Sequence, residues 1–174
     1  MKLSDNVTSA DNQQERLTYI GWIVGFVDGE GCFSIGFVKQ PDRGMRKGYK
    51  TGYQVGNRFV VTQGVKSLTC LEELKDFFGV GRIQINKRYD NHKEHLAQYI
   101  VDKRTDLLET IIPFFEQYQL RTSKRYDFEQ FVKCLHLIER GTHMTSQGLI
   151  LIVEIAETMN HKKSRQELIR ILRD

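Results

Sequence analysis

No run of about 20 consecutive apolar residues occurs in this chain, which excludes a membrane-spanning helix of ordinary length. Nor does the chain open with a cationic stretch, an apolar export segment and a small-residue cleavage site. The expectation is a soluble, intracellular protein with no membrane partner, housed in an organelle or in a prokaryotic cytoplasm. Cysteine is scarce. Cys32, Cys70 and Cys134 are odd in number and far apart, which argues against a disulfide framework or a cysteine-based zinc site and predicts three buried, reduced packing residues. Other chemistries lack their residues as well. His92 and His95 form an isolated pair without further zinc ligands, and no Ser, His and Asp order suggests a nucleophilic triad. Gly79-Val80-Gly81 has neither the lysine nor the following helix of a phosphate-binding loop, so it is read as a helix exit and turn. Internal repeats and low-complexity linkers are missing too.

What is present is a chain of 174 residues, 40% hydrophobic, enough for one domain with a substantial core. Residues 1–16 are polar and lack apolar periodicity, which predicts a flexible tail; residues 17–174 are expected to form a single domain. The overall charge of +4 is distributed unevenly. Between Gly31 and Lys66, Lys39, Arg43, Arg46, Lys47, Lys50, Arg58 and Lys66 face Asp42 alone; between Gly81 and Lys93, Arg82, Lys87, Arg88 and Lys93 face Asp90 alone. The rest of the chain is therefore net acidic. Clustered cations of this kind suit a polyanion, because each one placed at a phosphate releases condensed counterions. Composition alone is equally compatible with a solvated surface of locally biased charge.

Two periodicities order the chain. Apolar residues alternate over 32–39, with Phe33, Ile35 and Phe37 on one face, and over 53–63, with Tyr53, Val55, Phe59 and Val61 inward and Gln54, Gly56, Arg58 and Val60 outward. A third strand over 82–88 places Ile83 and Ile85 inward and Arg82, Gln84, Asn86 and Arg88 outward; 95–101 pairs with it across Asp90-Asn91. Leu68, Leu71, Leu74 and Phe78 have helical spacing and stop at Gly79. From Thr105 onward the pattern is helical, interrupted or kinked at Pro113, with Thr145 capping one helix and Ser164 with Glu167 forming a capping box for a last short one. The outward side of a four-stranded sheet would thus carry Gln54, Arg58, Arg82, Gln84, Asn86 and Arg88. Such side chains suit base edges in a major groove, although an ordinary exposed sheet face is also polar.

The stretch Gly21-Trp22-Ile23-Val24-Gly25-Phe26-Val27-Asp28-Gly29-Glu30-Gly31 stands apart. A helix C-terminus carries partial negative charge, so carboxylates at Asp28 and Glu30 are disfavoured there unless a cation compensates them. Gly21, Gly25 and Gly29 recur every fourth residue and fall on one helix face, where a second helix could touch closely.

These residues resemble the motif of the LAGLIDADG homing endonucleases, matched position by position by Ile23 to Gly31 (IVGFVDGEG) and present in one copy. The resemblance implies an α+β fold in α-β-β-α-β-β-α order, with an antiparallel four-stranded DNA-binding sheet, helices on one face and the motif helix at a dimer interface. It further implies a homodimeric, intron-encoded enzyme that binds a long pseudo-palindromic double-stranded DNA site and hydrolyses one phosphodiester in each strand with Mg²⁺, Ca²⁺ supporting binding without cleavage. Glu30 matches the metal-binding acid, with the Gly29 carbonyl as a further ligand; Gln63 matches a polar residue near the attacking water, and Lys124 the basic residue that stabilises phosphate charge. Ser123 and Arg125 remain alternatives to Lys124. The DNA-binding set it implies comprises Ser34, Lys39, Arg43, Arg46, Lys47, Lys50, Gln54, Arg58, Lys66, Arg82, Gln84, Asn86, Arg88 and Gln98. The dimer interface would hold Gly21, Trp22, Val24, Gly25 and Asp28, with Asp28 hydrogen-bonded at the helix end. Two alternatives are a maturase that binds its intron RNA and a DNA-binding regulator of the same fold without nuclease activity.

Overall fold

Alternating burial along four strands builds a sheet with one apolar face, and the helices cover that face. The computed structural model describes residues 5–40, 51–87, 94–160 and 164–173. Helix α1 (Asp5–Glu30) runs directly into β1 (Gly31–Lys39); β2 (Tyr53–Gly64) follows, then a 3₁₀ turn (Val65–Ser67) and α2 (Leu68–Phe78). Strands β3 (Arg82–Asn86) and β4 (Leu96–Val101) complete a wholly antiparallel sheet in the order β1-β2-β4-β3. Beyond it lie α3 (Arg104–Asp106), a π-helical turn (Leu107–Ile111), α4 (Ile112–Gln117), α5 (Lys124–Glu139), a 3₁₀ turn (Thr142–Met144), α6 (Ser146–Glu157) and α7 (Gln166–Arg173). The chain is thus α+β, in the expected order through β4.

The core joins Ile23 and Val27 of α1 to Phe33, Phe59, Val61 and Tyr99 of the sheet, Leu71 and Leu74 of α2, and Phe131 and Leu135 of α5. Phe33 is at its centre: its ring lies 4.9 Å from Phe59, 5.2 Å from Phe128, 5.5 Å from Phe131 and 5.8 Å from Phe115. Several local signals act as expected. Gly79 ends α2 in the left-handed region at φ 66°, donating to the Lys75 carbonyl, a conformation that suits glycine. Thr145 caps α6 by accepting from Gly148 N at 3.1 Å. Pro113, lacking an N–H, stands at the start of α4 where the wider π turn ends.

Other expectations give way. Residues 5–16, expected as a loose tail, continue α1; no Pro or Gly interrupts them, and each added residue gains a helical hydrogen bond once the apolar part of the helix has formed. Among the cysteines only Cys134 is buried, and burial pushes its thiol up to about 12; Cys32 is exposed on the outward side of β1, and Cys70 is half-buried. Ile85, expected inward, is 48% exposed on the edge strand β3, whereas Ile83 is half-buried. The Asp90-Asn91 turn and His92 lie outside the described residues.

The other edge strand, β1, is covered by the C-terminal segment. Asn160 Nδ2 donates to the Phe33 carbonyl at 2.7 Å and Arg165 to the Ile35 carbonyl at 3.0 Å, with the guanidinium 5.6 Å from the Phe37 ring centre. These bonds occupy carbonyls to which a foreign strand could pair.

Phe33→Ala is expected to destabilise the fold by about 3–5 kcal/mol, because it removes a ring that touches four others. Urea unfolding measures the loss; a midpoint within error of wild type would contradict this account of the core.

Candidate active site and nucleic-acid interface

The site begins where α1 runs into β1. The two acids at this helix end have different environments. Asp28 is half-buried and accepts from Arg121 N at 2.9 Å, from Thr122 N at 3.1 Å and from the Thr122 hydroxyl at 2.7 Å. Burial alone would raise its pKa, but the Thr122 hydroxyl, the two backbone N–H groups and the Lys124 charge outweigh it and hold the carboxyl below its ordinary value. The charge penalty at the helix end is therefore offset within the chain. Glu30, by contrast, is exposed and makes no hydrogen bond or ion pair with the described residues.

Lys124, the first residue of α5, donates from Nζ to the Gly31 carbonyl, one residue beyond Glu30. Ser123 precedes the helix without a capping side-chain bond, and Arg125 turns along α5 to pair with Glu129 at 3.0 Å. Of the three alternatives, only Lys124 reaches the end of the motif. Gln63 lies at the same end of the sheet: Gly31 pairs with Val61, and Gln63 follows two residues later on the same face, opposite Ala97. Lys66 is exposed on the following turn, which Glu94 fastens by accepting from Lys66 N at 2.8 Å. Glu30 with Gly29, Gln63 and Lys124 thus belong to one corner of the fold.

Exposed, unpartnered Glu30 offers hard oxygen atoms that suit Mg²⁺, and neighbouring backbone carbonyls could add to them. Asp28 is committed elsewhere, and among the described residues no three His, Cys, Asp or Glu side chains converge. The described residues of one chain thus offer a single free carboxylate at this corner.

The glycine face of α1 points in a different direction from its core face. A methyl group added at Gly21, Gly25 or Gly29 would meet nothing within 4 Å, and all three are exposed. A groove of about 440 Å³ runs along this side, lined by Leu17, Gly21, Val24, Gly25, Asp28 and Arg121 among others. Trp22 is turned about 100° round the helix from Gly21. It stacks between Tyr19 and Phe26, at 5.5 and 5.4 Å, in a ladder belonging to its own chain.

The outward face of the sheet carries the expected polar residues. Gln54, Arg58, Arg82, Gln84 and Asn86 are exposed, and Ser34 and Gln98 are half-buried; Lys39, exposed at the end of β1, is opposite Tyr53 and so has the register of the other face. Gln98 donates to Thr62 Oγ1 at 3.2 Å, Ser34 to the Arg58 carbonyl at 3.4 Å, and Gln40 to Gln54 Oε1 at 2.8 Å. The glycine pair Gly36 and Gly56, opposite each other in β1 and β2, leaves a groove of about 580 Å³ bordered by Ser34, Gln54, Arg58 and Arg104. Arg43, Arg46, Lys47, Lys50 and Arg88 lie outside the described residues.

Sequence reasoning missed Asp102, directly after β4. It accepts two hydrogen bonds from Arg82, at 2.6 and 2.7 Å, and lies 3.9 Å from Arg58. Extending the alternation of β4 by one residue would have put it on that face. Its carboxyl is held below its ordinary pKa, chiefly by the Arg82 hydrogen bonds, against the opposing effect of burial, with the Arg82 and Arg58 charges adding to the lowering. Arg82 and Arg58 therefore share an intramolecular counterion instead of standing as independent cations.

A family model described as LAGLIDADG endonuclease matches residues 23–135. The probable intron-encoded endonuclease 2 of Neurospora crassa is 31% identical over 160 residues, covering 91% of this chain and 31% of that protein. The chain spans between about a quarter and a third of the length of the first curated relatives it matches. Among solved structures, the homing endonuclease I-TnaI is similar at 38% identity and a TM-score of 0.71, covering 88% of this chain and 95% of that one. I-SmaMI, bound to its uncleaved DNA target in the presence of calcium ions, is similar at 36% identity and a TM-score of 0.70, covering 83% of this chain and 45% of that one.

Because Asp28 has a depressed pKa in the folded state, its bonds add stability that is fully present above the unfolded carboxyl value of about 4 and is lost as pH falls through the folded value. The stability advantage of wild type over Asp28→Asn should therefore shrink on acidification below about pH 4. Urea titrations across that range check it; a difference independent of pH would contradict the bonding scheme.

Proposed function

The chain belongs to the LAGLIDADG endonuclease family, and on that premise we propose that it is a site-specific homing endonuclease, intron-encoded, acting as a homodimer on a long, roughly two-fold symmetric double-stranded DNA site. The observation that carries this reading is the corner at the end of α1, where an exposed, unpartnered Glu30 adjoins the Gly31 carbonyl to which Lys124 donates. Dimerisation is supported by the glycine face. An interior helix glycine costs about 1 kcal/mol relative to alanine, and among the described residues no close packing at Gly21, Gly25 or Gly29 offsets that cost. A second copy of α1 laid against it would bring two Glu30 side chains together. The extent of the similarities is consistent with this, because the chain covers nearly all of I-TnaI but less than half of I-SmaMI.

In the assembled site Glu30 of each copy would hold Mg²⁺, aided by the Gly29 carbonyl. When bound, the metal supplies positive charge at the scissile phosphate and makes a water more acidic. Gln63, on the inward face beside this corner, orients the attacking water through its amide. The Lys124 ammonium leaves or shares the Gly31 carbonyl to offset charge that develops on the phosphate in the transition state. Asp28 works at one remove, fastening α1 to the loop that delivers Lys124. The sheet faces of the two copies hold the duplex, with Lys39 and Lys66 at phosphates and Gln54, Gln84, Asn86 and Gln98 at base edges.

Glu30→Gln should keep DNA binding in Ca²⁺ and lose Mg²⁺-dependent cleavage of DNA joined across the gene's own insertion point; cleavage at the wild-type rate would remove the metal role assigned to Glu30. Gly25→Leu should convert a dimeric particle mass, measured by light scattering, to that of one chain and abolish double-strand cleavage. Retention of the dimeric mass would show that α1 is not the joining helix.

A further inference from the structure

A carboxylate in the middle of a cation-bearing sheet face is unfavourable for a surface that is to meet a polyanion. Asp102 emerges from the central strand β4, between Arg58 of β2 and Arg82 of β3. Ion pairs this exposed contribute little to folding: the side chains of Arg82, Arg58 and Asp102 are 49%, 53% and 34% accessible. The acid also reduces the counterion-release attraction that the two arginines would otherwise provide. Its return must lie elsewhere than in stability or bulk affinity.

We propose that Asp102 is a specificity-determining positioning residue, which holds Arg82 as a pre-formed reader of a guanine in the major groove of the bound duplex. This rests on the proposed DNA-binding role of the sheet. Asp102 takes one hydrogen from each terminal nitrogen of Arg82, through Oδ1 at 2.6 Å and Oδ2 at 2.7 Å. A guanidinium carries five N–H groups in a fixed plane, so three remain, including the parallel pair on Nε and Nη2. A pair of parallel donors is what guanine O6 and N7 accept. The carboxylate thus restricts the rotamers of a long side chain before binding without consuming the edge that reads the base.

The backbone that carries the carboxylate is fixed independently of the arginines. Buried Asn57 donates from Nδ2 to the Asp102 backbone carbonyl at 3.0 Å, tying this residue to β2. Arg58, at 3.9 Å from Oδ2, is held less closely and leaves the three-residue group with one net positive charge, so the face still attracts phosphate. Arg82 and Ile100 are opposite each other in register, which makes the Arg82–Asp102 bond a diagonal cross-strand contact and inclines the guanidinium along the sheet.

The test is selection of bound sequences from a randomised duplex pool in Ca²⁺, followed by titration of single-base variants of the selected site, for wild type, Asp102→Asn and Arg82→Lys. Asp102→Asn keeps the backbone carbonyl that Asn57 bonds, and a thermal melt checks that it folds. The expected result is several-fold tighter binding of unrelated duplex by Asp102→Asn, with about ten-fold weaker guanine preference at one base pair in each half-site. Arg82→Lys, which keeps the charge and loses the planar fork, should relax the same base pair. An unchanged preference at every base pair in Asp102→Asn, or a uniform loss at all of them, overturns the positioning role. Failure of wild type to select any sequence overturns the DNA-binding reading beneath it, a result the variants are not needed to recognise.

Discussion

The fastening of Asp28 to the backbone of Arg121 and Thr122 is the contact on which the site depends. α1 is long and no described residue packs closely on its glycines, so its C-terminal end needs a fixed point. Asp28 provides one by taking the N–H groups just ahead of α5, together with the Thr122 hydroxyl. Thr122 in turn accepts from Lys124 N at 3.2 Å, so the carboxylate and the start of α5 are coupled through a single side chain. Lys124 then reaches the Gly31 carbonyl. A chain of short bonds thus joins the motif helix, the first strand and the helix that carries the basic residue.

The same helix serves different neighbours on different faces, and its sequence separates them. Ile20, Ile23 and Val27 are buried against the sheet. Tyr19, Trp22 and Phe26 form a stacked ladder that reaches Phe77 of α2 at 5.7 Å. Gly21, Gly25 and Gly29 face neither set. Apolar side chains on two faces settle the helix rotation within the chain, and the glycine stripe is then presented outward by default. A small-residue stripe favours close backbone approach only if it is oriented this rigidly, because a rotation by one residue would present the aromatic ladder instead.

Much of this could be read from residue order, for identifiable reasons. Strands half-covered by helices alternate strictly, so Phe33, Ile35, Phe59 and Val61 are assigned to the core by period alone. Gly79 and Thr145 are local signals whose action needs no distant partner. What was not legible depends on longer-range neighbours or on helix propagation. Polar composition at residues 5–16 says nothing against helix when the apolar part of α1 has already nucleated it. Cys32 looks like a core residue by type, yet the alternation of β1 puts it on the opposite side from Phe33. Asp102 was hidden because the strand signal ends at Val101, while the backbone keeps its alternation one residue further, tied to Asn57. Helical rotation sets Trp22 between the glycine stripe and the Tyr19–Phe26 ladder, and the stacking partners that hold it are visible only in the structure.

The two acids outside the core illustrate how a charge acquires a role from its neighbours. Asp28 and Asp102 both have depressed pKa values, through hydrogen bonds that outweigh burial in the first case and dominate in the second. Both are therefore ionised at neutral pH and both orient something else: backbone N–H groups and Lys124 in one case, two arginines in the other. Glu30 has no such partner, although it follows Asp28 by only two residues and shares its unfavourable helix end. A carboxylate left in this position is offset neither by the helix nor by a neighbouring cation among the described residues. In the proposed dimer its compensation would come from a divalent ion and from the second copy that brings the second acid, so the two proposals depend on each other.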